Sequence, residues 1–72
     1  MEILNGEIIF LIKDSIDGGY EAKAVGFSIF TESETMENLK SNIVEAVDCH
    51  FDKNEKPRLI RLHYIKEEVI AA

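Results

Sequence analysis

Ile8-Ile9-Phe10-Leu11-Ile12-Lys13-Asp14-Ser15-Ile16-Asp17-Gly18-Gly19-Tyr20-Glu21-Ala22-Lys23-Ala24-Val25 is the stretch on which the fold of this chain turns. Its first five residues form an apolar run too short for a helix and rich in β-branched and aromatic side chains, so they read as a strand covered on both faces and central in a sheet. Asp14 to Gly19 follows with two adjacent glycines that tolerate positive φ. The chain therefore reverses there into a second strand, Tyr20 to Val25. Gly26 breaks the run as a bulge or a tight turn. Phe27 to Thr31 then predicts a third short strand ahead of polar Glu32-Ser33-Glu34.

From Thr35 the period changes. Met36, Leu39, Ile43, Ala46, Val47 and His50 or Phe51 recur at helical spacing and place one apolar stripe against the sheet. Thr35 suits an N-cap, and Glu37 in the first turn meets the positive end of the helix dipole. Asn38, Ser41, Asn42, Glu45 and Asp48 form the opposite, solvated face. The helix is expected to end near Phe51, ahead of an exposed loop, Asp52 to Lys56, and Pro57, which cannot continue it. Arg58 to Lys66 alternates, with Ile60, Leu62 and Tyr64 on one face and Leu59, Arg61, His63 and Ile65 on the other, and so predicts a fourth strand. The tail Glu67 to Ala72 reads either as a strand extension or as a frayed end. The order is β-β-β-α-β, an α+β fold with one helix on a mostly antiparallel four-stranded sheet.

The chain is short, 72 residues, and is read as a single domain, residues 1–72. Its 46% apolar and 31% charged residues are the balance of a folded, water-soluble protein. Eight Lys and Arg against 14 Asp and Glu give a net charge of −6. A nucleic-acid binder draws most of its affinity from a basic face, and the one basic cluster here is Lys53 and Lys56 with Arg58 and Arg61, so direct nucleic-acid binding is not expected. Cys49 has no second cysteine to pair with, no signal-peptide pattern opens the chain, and the longest apolar run is far short of a bilayer span. The expectation is a cytoplasmic protein without a membrane contact.

In their order and spacing these segments resemble the N-terminal domain of HicB-type antitoxins. The carriers are Asp17-Gly18-Gly19-Tyr20 after a first apolar strand, and Phe30-Thr31-Glu32-Ser33-Glu34-Thr35-Met36-Glu37-Asn38-Leu39 leading into the helix. Within that helix, Asn42-Ile43-Val44-Glu45-Ala46-Val47 matches the family's Asn-x-x-Glu-Ala pattern. The resemblance covers roughly residues 7 to 66. It implies a partly degraded ribonuclease H-like fold without catalysis, paired with a small basic HicA-like toxin that cleaves mRNA. The sequence departs from the family at Gly26-Phe27-Ser28-Ile29-Phe30, where a Leu-Pro-Gly-Cys-like stretch is usual. It also carries no C-terminal DNA-binding domain, so operator binding by this chain alone is not expected.

Residue chemistry agrees with a non-catalytic reading. Metal-dependent phosphate hydrolysis needs converging carboxylates, yet the fourth strand offers Arg61 and His63, and Glu45 and Asp48 fall on the predicted solvent face. Asp48-Cys49-His50 with Asp52 invites a metal or thiol reading. Adjacent helical residues point about 100° apart, however, and His63 would have to complete the set from across the fold. A helix-end histidine and a part-buried cysteine are the simpler reading. No Gly-rich phosphate loop stands between a strand and a helix, so no enzyme activity, cofactor or metal site is expected.

Interaction surfaces are the candidates that remain. An open sheet has edges that either need protection or recruit a partner, and Leu59 and Ile65 beside Arg61 and His63 mix apolar and charged side chains as interfaces do. For a basic toxin the predicted contributors are Glu32, Glu34 and Glu37. For self-association the exposed edges predict a homodimer or higher homo-oligomer.

Overall fold

The computed structural model describes residues 6–72. Strand β1 (Glu7–Asp14), β2 (Tyr20–Ala24), β3 (Phe30–Ser33), helix α1 (Met36–His50) and β4 (Leu59–Ile65) follow one another in the expected order β-β-β-α-β. The sheet is mixed, in the order β3-β2-β1-β4. Consecutive strands β1, β2 and β3 pair antiparallel. After the helical crossover β4 returns to the far side of β1 and pairs with it in parallel, Ile8 opposite Ile60 and Phe10 opposite Leu62.

The first reversal is built on its glycines. Gly18 N–H donates to Ser15 O and Ser15 N–H to Gly19 O, both at 3.1 Å, with φ at +88° and +82° for the two glycines. At Gly19 a side chain has no room either, since a Cβ there would lie 2.5 Å from the Ser33 carbonyl oxygen.

Ile8, Phe10 and Ile12 of β1, Ala22 and Ala24 of β2, Ile29, and Leu39, Ile43 and Val47 of α1 form one buried core, and among the described residues no polar side chain is buried. The helix begins as its sequence dictates, Thr35 Oγ1 accepting from Asn38 N–H at 3.1 Å, and ends at Phe51, whose N–H donates to Val47 O.

Four expectations are corrected. β1 is central but covered on one face only: Ile8, Phe10 and Ile12 are buried while Leu11 is 36% exposed, because α1, the one helix among the described residues, lies over a single side of the sheet. The third strand is Phe30–Ser33, not Phe27–Thr31. Gly26, at φ +82°, turns the chain, and Ala24 N–H donates to Ile29 O across the connection, which leaves Phe27 and Ile29 to plug the core from a loop. Asn42 is half-buried rather than solvated, and Cys49 is exposed rather than part-buried. The tail beyond β4, Lys66 to Ala72, joins no strand and is exposed throughout.

Candidate interaction surface

Because α1 covers one face of the sheet, every second residue of each strand faces away from it. β1 contributes Glu7, Ile9, Leu11 and Lys13 to this open face, and through the parallel register they lie opposite Leu59, Arg61, His63 and Ile65 of β4. On the other side Leu11 and Lys13 lie opposite Lys23 and Glu21 of β2, which in turn lie opposite Phe30 and Glu32 of β3. The alternation predicted for β4 is therefore met residue by residue, with Leu59, Arg61, His63 and Ile65 on one face at one edge.

Cross-strand ion pairs organise this face. Arg61 forks onto Glu7, Nε to Oε2 at 3.2 Å and Nη2 to Oε1 at 2.5 Å. The bond from Arg61 holds the Glu7 carboxyl below the usual carboxylate range against the opposing cost of its burial, and the charges of Arg61 and His63 act in the same direction. The guanidinium is raised in turn by the same bond. Lys13 meets Glu21 at 3.4 Å. All of these groups are reached by solvent, so the pairs order the face more than they stabilise the fold. Between them lie Ile9 and Leu11. The face thus carries the Glu7–Arg61 pair and His63 at its β4 edge, Ile9 and Leu11 in its middle and, toward β3, the cross-strand neighbours Glu21 and Glu32, with Lys13 paired to Glu21 and Lys23 opposite Phe30.

The three acids proposed from sequence do not form one patch. Glu32 stands on the open face, two strands and about 14 Å from β4 at the usual strand spacing. With Glu34 it lines a shallow hollow that includes Asp17, Gly18 and Tyr20. Glu37 instead sits in the first turn of α1 beside Met36, Lys40 and Ser41, a different depression of the surface. Proximity in sequence does not survive the strand-to-helix turn. Ile9, Leu11 and Phe30 were missed as surface residues. The available signal was the helix count, since one 15-residue helix cannot cover two faces of a four-stranded sheet.

A second apolar strip lies on the helix side. α1 packs over β3 and β2, so the inner face of β4 is covered incompletely. Lys40, Ile43 and Val44 of the helix and Ile60 and Leu62 of the strand line a shallow groove there. Tyr64, on the same side as the core, is 57% exposed and directs its hydroxyl toward Met36 Sδ at 3.7 Å.

Two residues of the metal reading, Asp48 and His50, have other partners, while Cys49 is a free, exposed thiol. Asp48 is paired with Lys56. His50 stacks edge-on with Phe51 at 4.8 Å and Phe27 at 5.9 Å between ring centroids. Among the described residues no three His, Cys, Asp or Glu side chains converge as a metal site would require, and no helix is long and apolar enough to cross a membrane.

A UPF0150 protein of Archaeoglobus fulgidus is 46% identical over 52 residues, 72% of this chain and 77% of that one. A UPF0150 protein of Thermotoga maritima is 42% identical over 65 residues, 90% of this chain and 91% of that one. No family model matches the chain, and no solved structure matches it.

Proposed function

The chain belongs to the UPF0150 family, and from that premise we propose that it is a non-catalytic, HicB-like antitoxin-type module that binds and covers a small basic mRNA-cleaving toxin. The observation that carries this reading is the order of elements. The Asp17-Gly18-Gly19-Tyr20 hairpin, the third strand and the Thr35-capped helix follow one another as in the HicB resemblance. The surface supports it: one side of the sheet is open, its β3 end is acidic, and the chain carries a net charge of −6. Charge complementarity of this kind steers a basic partner and covers its RNA surface without any chemistry by the antitoxin.

The experiment is a titration of this chain with any small basic protein found encoded beside its gene. Reversal of Glu32 and Glu34, which share the hollow beside β3, to Lys is expected to slow association several-fold at low salt while leaving the fold intact, with a smaller effect for Glu37→Lys on its separate depression, and the difference is expected to shrink as the Debye length falls from about 30 Å at 0.01 M to about 10 Å at 0.1 M. Unchanged association rates at low salt would remove these acids from the interface. Absence of binding would leave the second reading, a HicB-like domain that self-associates as a homodimer or higher homo-oligomer and serves as a structural or regulatory module. That reading is favoured by the apolar side chains exposed on β4, Leu59 and Tyr64 at 57% each and Ile65 at 42%.

A further inference from the structure

We propose that the outer edge of β4 is the self-association edge of this chain, pairing antiparallel with β4 of a second copy about a two-fold axis at Leu62. The proposal rests on the homo-oligomeric reading for the existence of an assembly and goes beyond it in naming the edge and the register.

Among the described residues β4 pairs with β1 alone, and its other edge carries the unpaired backbone groups that recruit a further strand. Its sequence, Leu-Ile-Arg-Leu-His-Tyr-Ile, has the same chemical order in both directions. A two-fold axis through the central residue therefore sets Leu59 against Ile65, Ile60 against Tyr64, Arg61 against His63 and Leu62 against its own copy. Opposed residues of an antiparallel pair share a face. The open face thus gains two apolar contacts flanking two polar pairs, and the helix side gains an unbroken apolar row. Arg61 does not enter its pair on the open face as a bare cation, because Glu7 of its own copy already holds it. On the helix side the groove of Ile43, Val44, Ile60 and Leu62 would meet its copy across the axis, forming one trough between two helices.

Charge beyond the strand fits the same register. Past Ile65 the tail of one copy, with Glu67 and Glu68, leaves the paired strands at the end where the other copy's loop enters β4 with Lys56 and Arg58, a loop that also holds Asp52, Lys53 and Glu55. Lys66 opposite Arg58 is an unfavourable opposition, as is Arg61 opposite His63 when the imidazole is charged; Glu7 offsets the second and the two glutamates follow the first directly. The tail carries Val69 and Ile70, 97% and 86% exposed in the single chain, along the second copy. The opposite edge is a poorer candidate: β3 has four residues and carries Glu32 with Glu34 just beyond it, a short charged edge of the kind that resists pairing.

The test uses the whole chain with Cys49→Ser, Leu59→Cys and Ile65→Cys. Directly opposed residues lie about 4.5 to 5.5 Å apart between Cα atoms, within disulfide range, whereas positions 59 and 65 of one strand are about 20 Å apart. Mild oxidation is expected to give a covalent species of twice 8.2 kDa from this variant and none from either single-cysteine variant. Failure of the double variant to cross-link, or equal cross-linking by the singles, would overturn the register. In sedimentation, Leu59→Lys with Ile65→Lys is expected to convert a two-copy species to one of 8.2 kDa with an unchanged circular dichroism spectrum. If the unmodified chain sediments as a dimer and this variant does too, the β4 edge is wrong while the homo-oligomer stands. An unmodified chain that is monomeric at micromolar concentration sinks both.

Discussion

Leu39→Ala is expected to lower the unfolding free energy by about 2 to 5 kcal/mol, the cost of removing a buried leucine and leaving a cavity behind. Leu39 is fully buried on the helix stripe with Ile43 and Val47, and these face Phe10, Ile8 and Ile12 of β1. A domain this small has one core and a stability near the lower end of about 5 to 15 kcal/mol, so the loss is a large fraction of the total. At about 4 to 8 °C per kcal/mol for domains of this size, the melting temperature should fall by roughly 8 °C or more. The exposed Glu45→Ala should change stability by less than about 0.5 kcal/mol. Equal denaturation midpoints for the two variants would show that the core does not lie along this stripe.

Gly19→Ala is expected to be the most damaging substitution in the first hairpin, exceeding Gly18→Ala although both glycines have positive φ. For Gly18 the added Cβ meets nothing within 4 Å, and the cost is the backbone strain of about 1 to 2 kcal/mol. At Gly19 the same strain is joined by a clash with backbone, Ser33 O at 2.5 Å and Glu34 Cα at 2.9 Å. Backbone cannot rotate out of the way as a side chain can, so relief requires β2 and β3 to separate at Tyr20 and Ser33, the first residues of their ladder. Denaturant titration of the two variants measures the difference, and equal midpoints would show that the close approach at Ser33 is not maintained in solution.

The parts of the fold that were legible in the sequence are those where one periodicity acts alone. α1 was readable at both ends because Thr35 and Phe51 border an uninterrupted apolar stripe, and β4 because its alternation is complete. β1 was misread on one face because five apolar residues in succession hide a period of two, and burial then depends on how many helices are present to cover the sheet. Phe27 and Ile29 extended the apparent third strand for a related reason: apolar side chains that plug a core from a loop look like strand residues until the turn at Gly26 is known. The candidate surface was legible where it lies on one strand, Leu59, Arg61, His63 and Ile65, and not where it crosses elements. The separation of Glu37 from Glu32 and Glu34 follows from the direction the helix takes after Thr35, which no local pattern encodes.

The parallel pairing of β1 with β4 sets an order of events. Closing the β1–β2 hairpin joins Asp14 to Tyr20, six residues on (20 − 14), whereas Ile8 meets Ile60 across 52 (60 − 8). By the logarithmic cost of loop closure the second step is entropically dearer by about 2 kcal/mol, so the hairpin and helix should assemble before the last strand arrives. Leu62→Ala is then expected to speed unfolding with little effect on the refolding rate, while Ala22→Gly slows refolding, when both are measured at low protein concentration. Equal partition of the two effects between the rates would remove this order. In the interval before β4 docks, Ile8 to Ile12 stands with one bare edge, and the nascent chain is at its most vulnerable to pairing with a neighbour at the strand on which its own core depends.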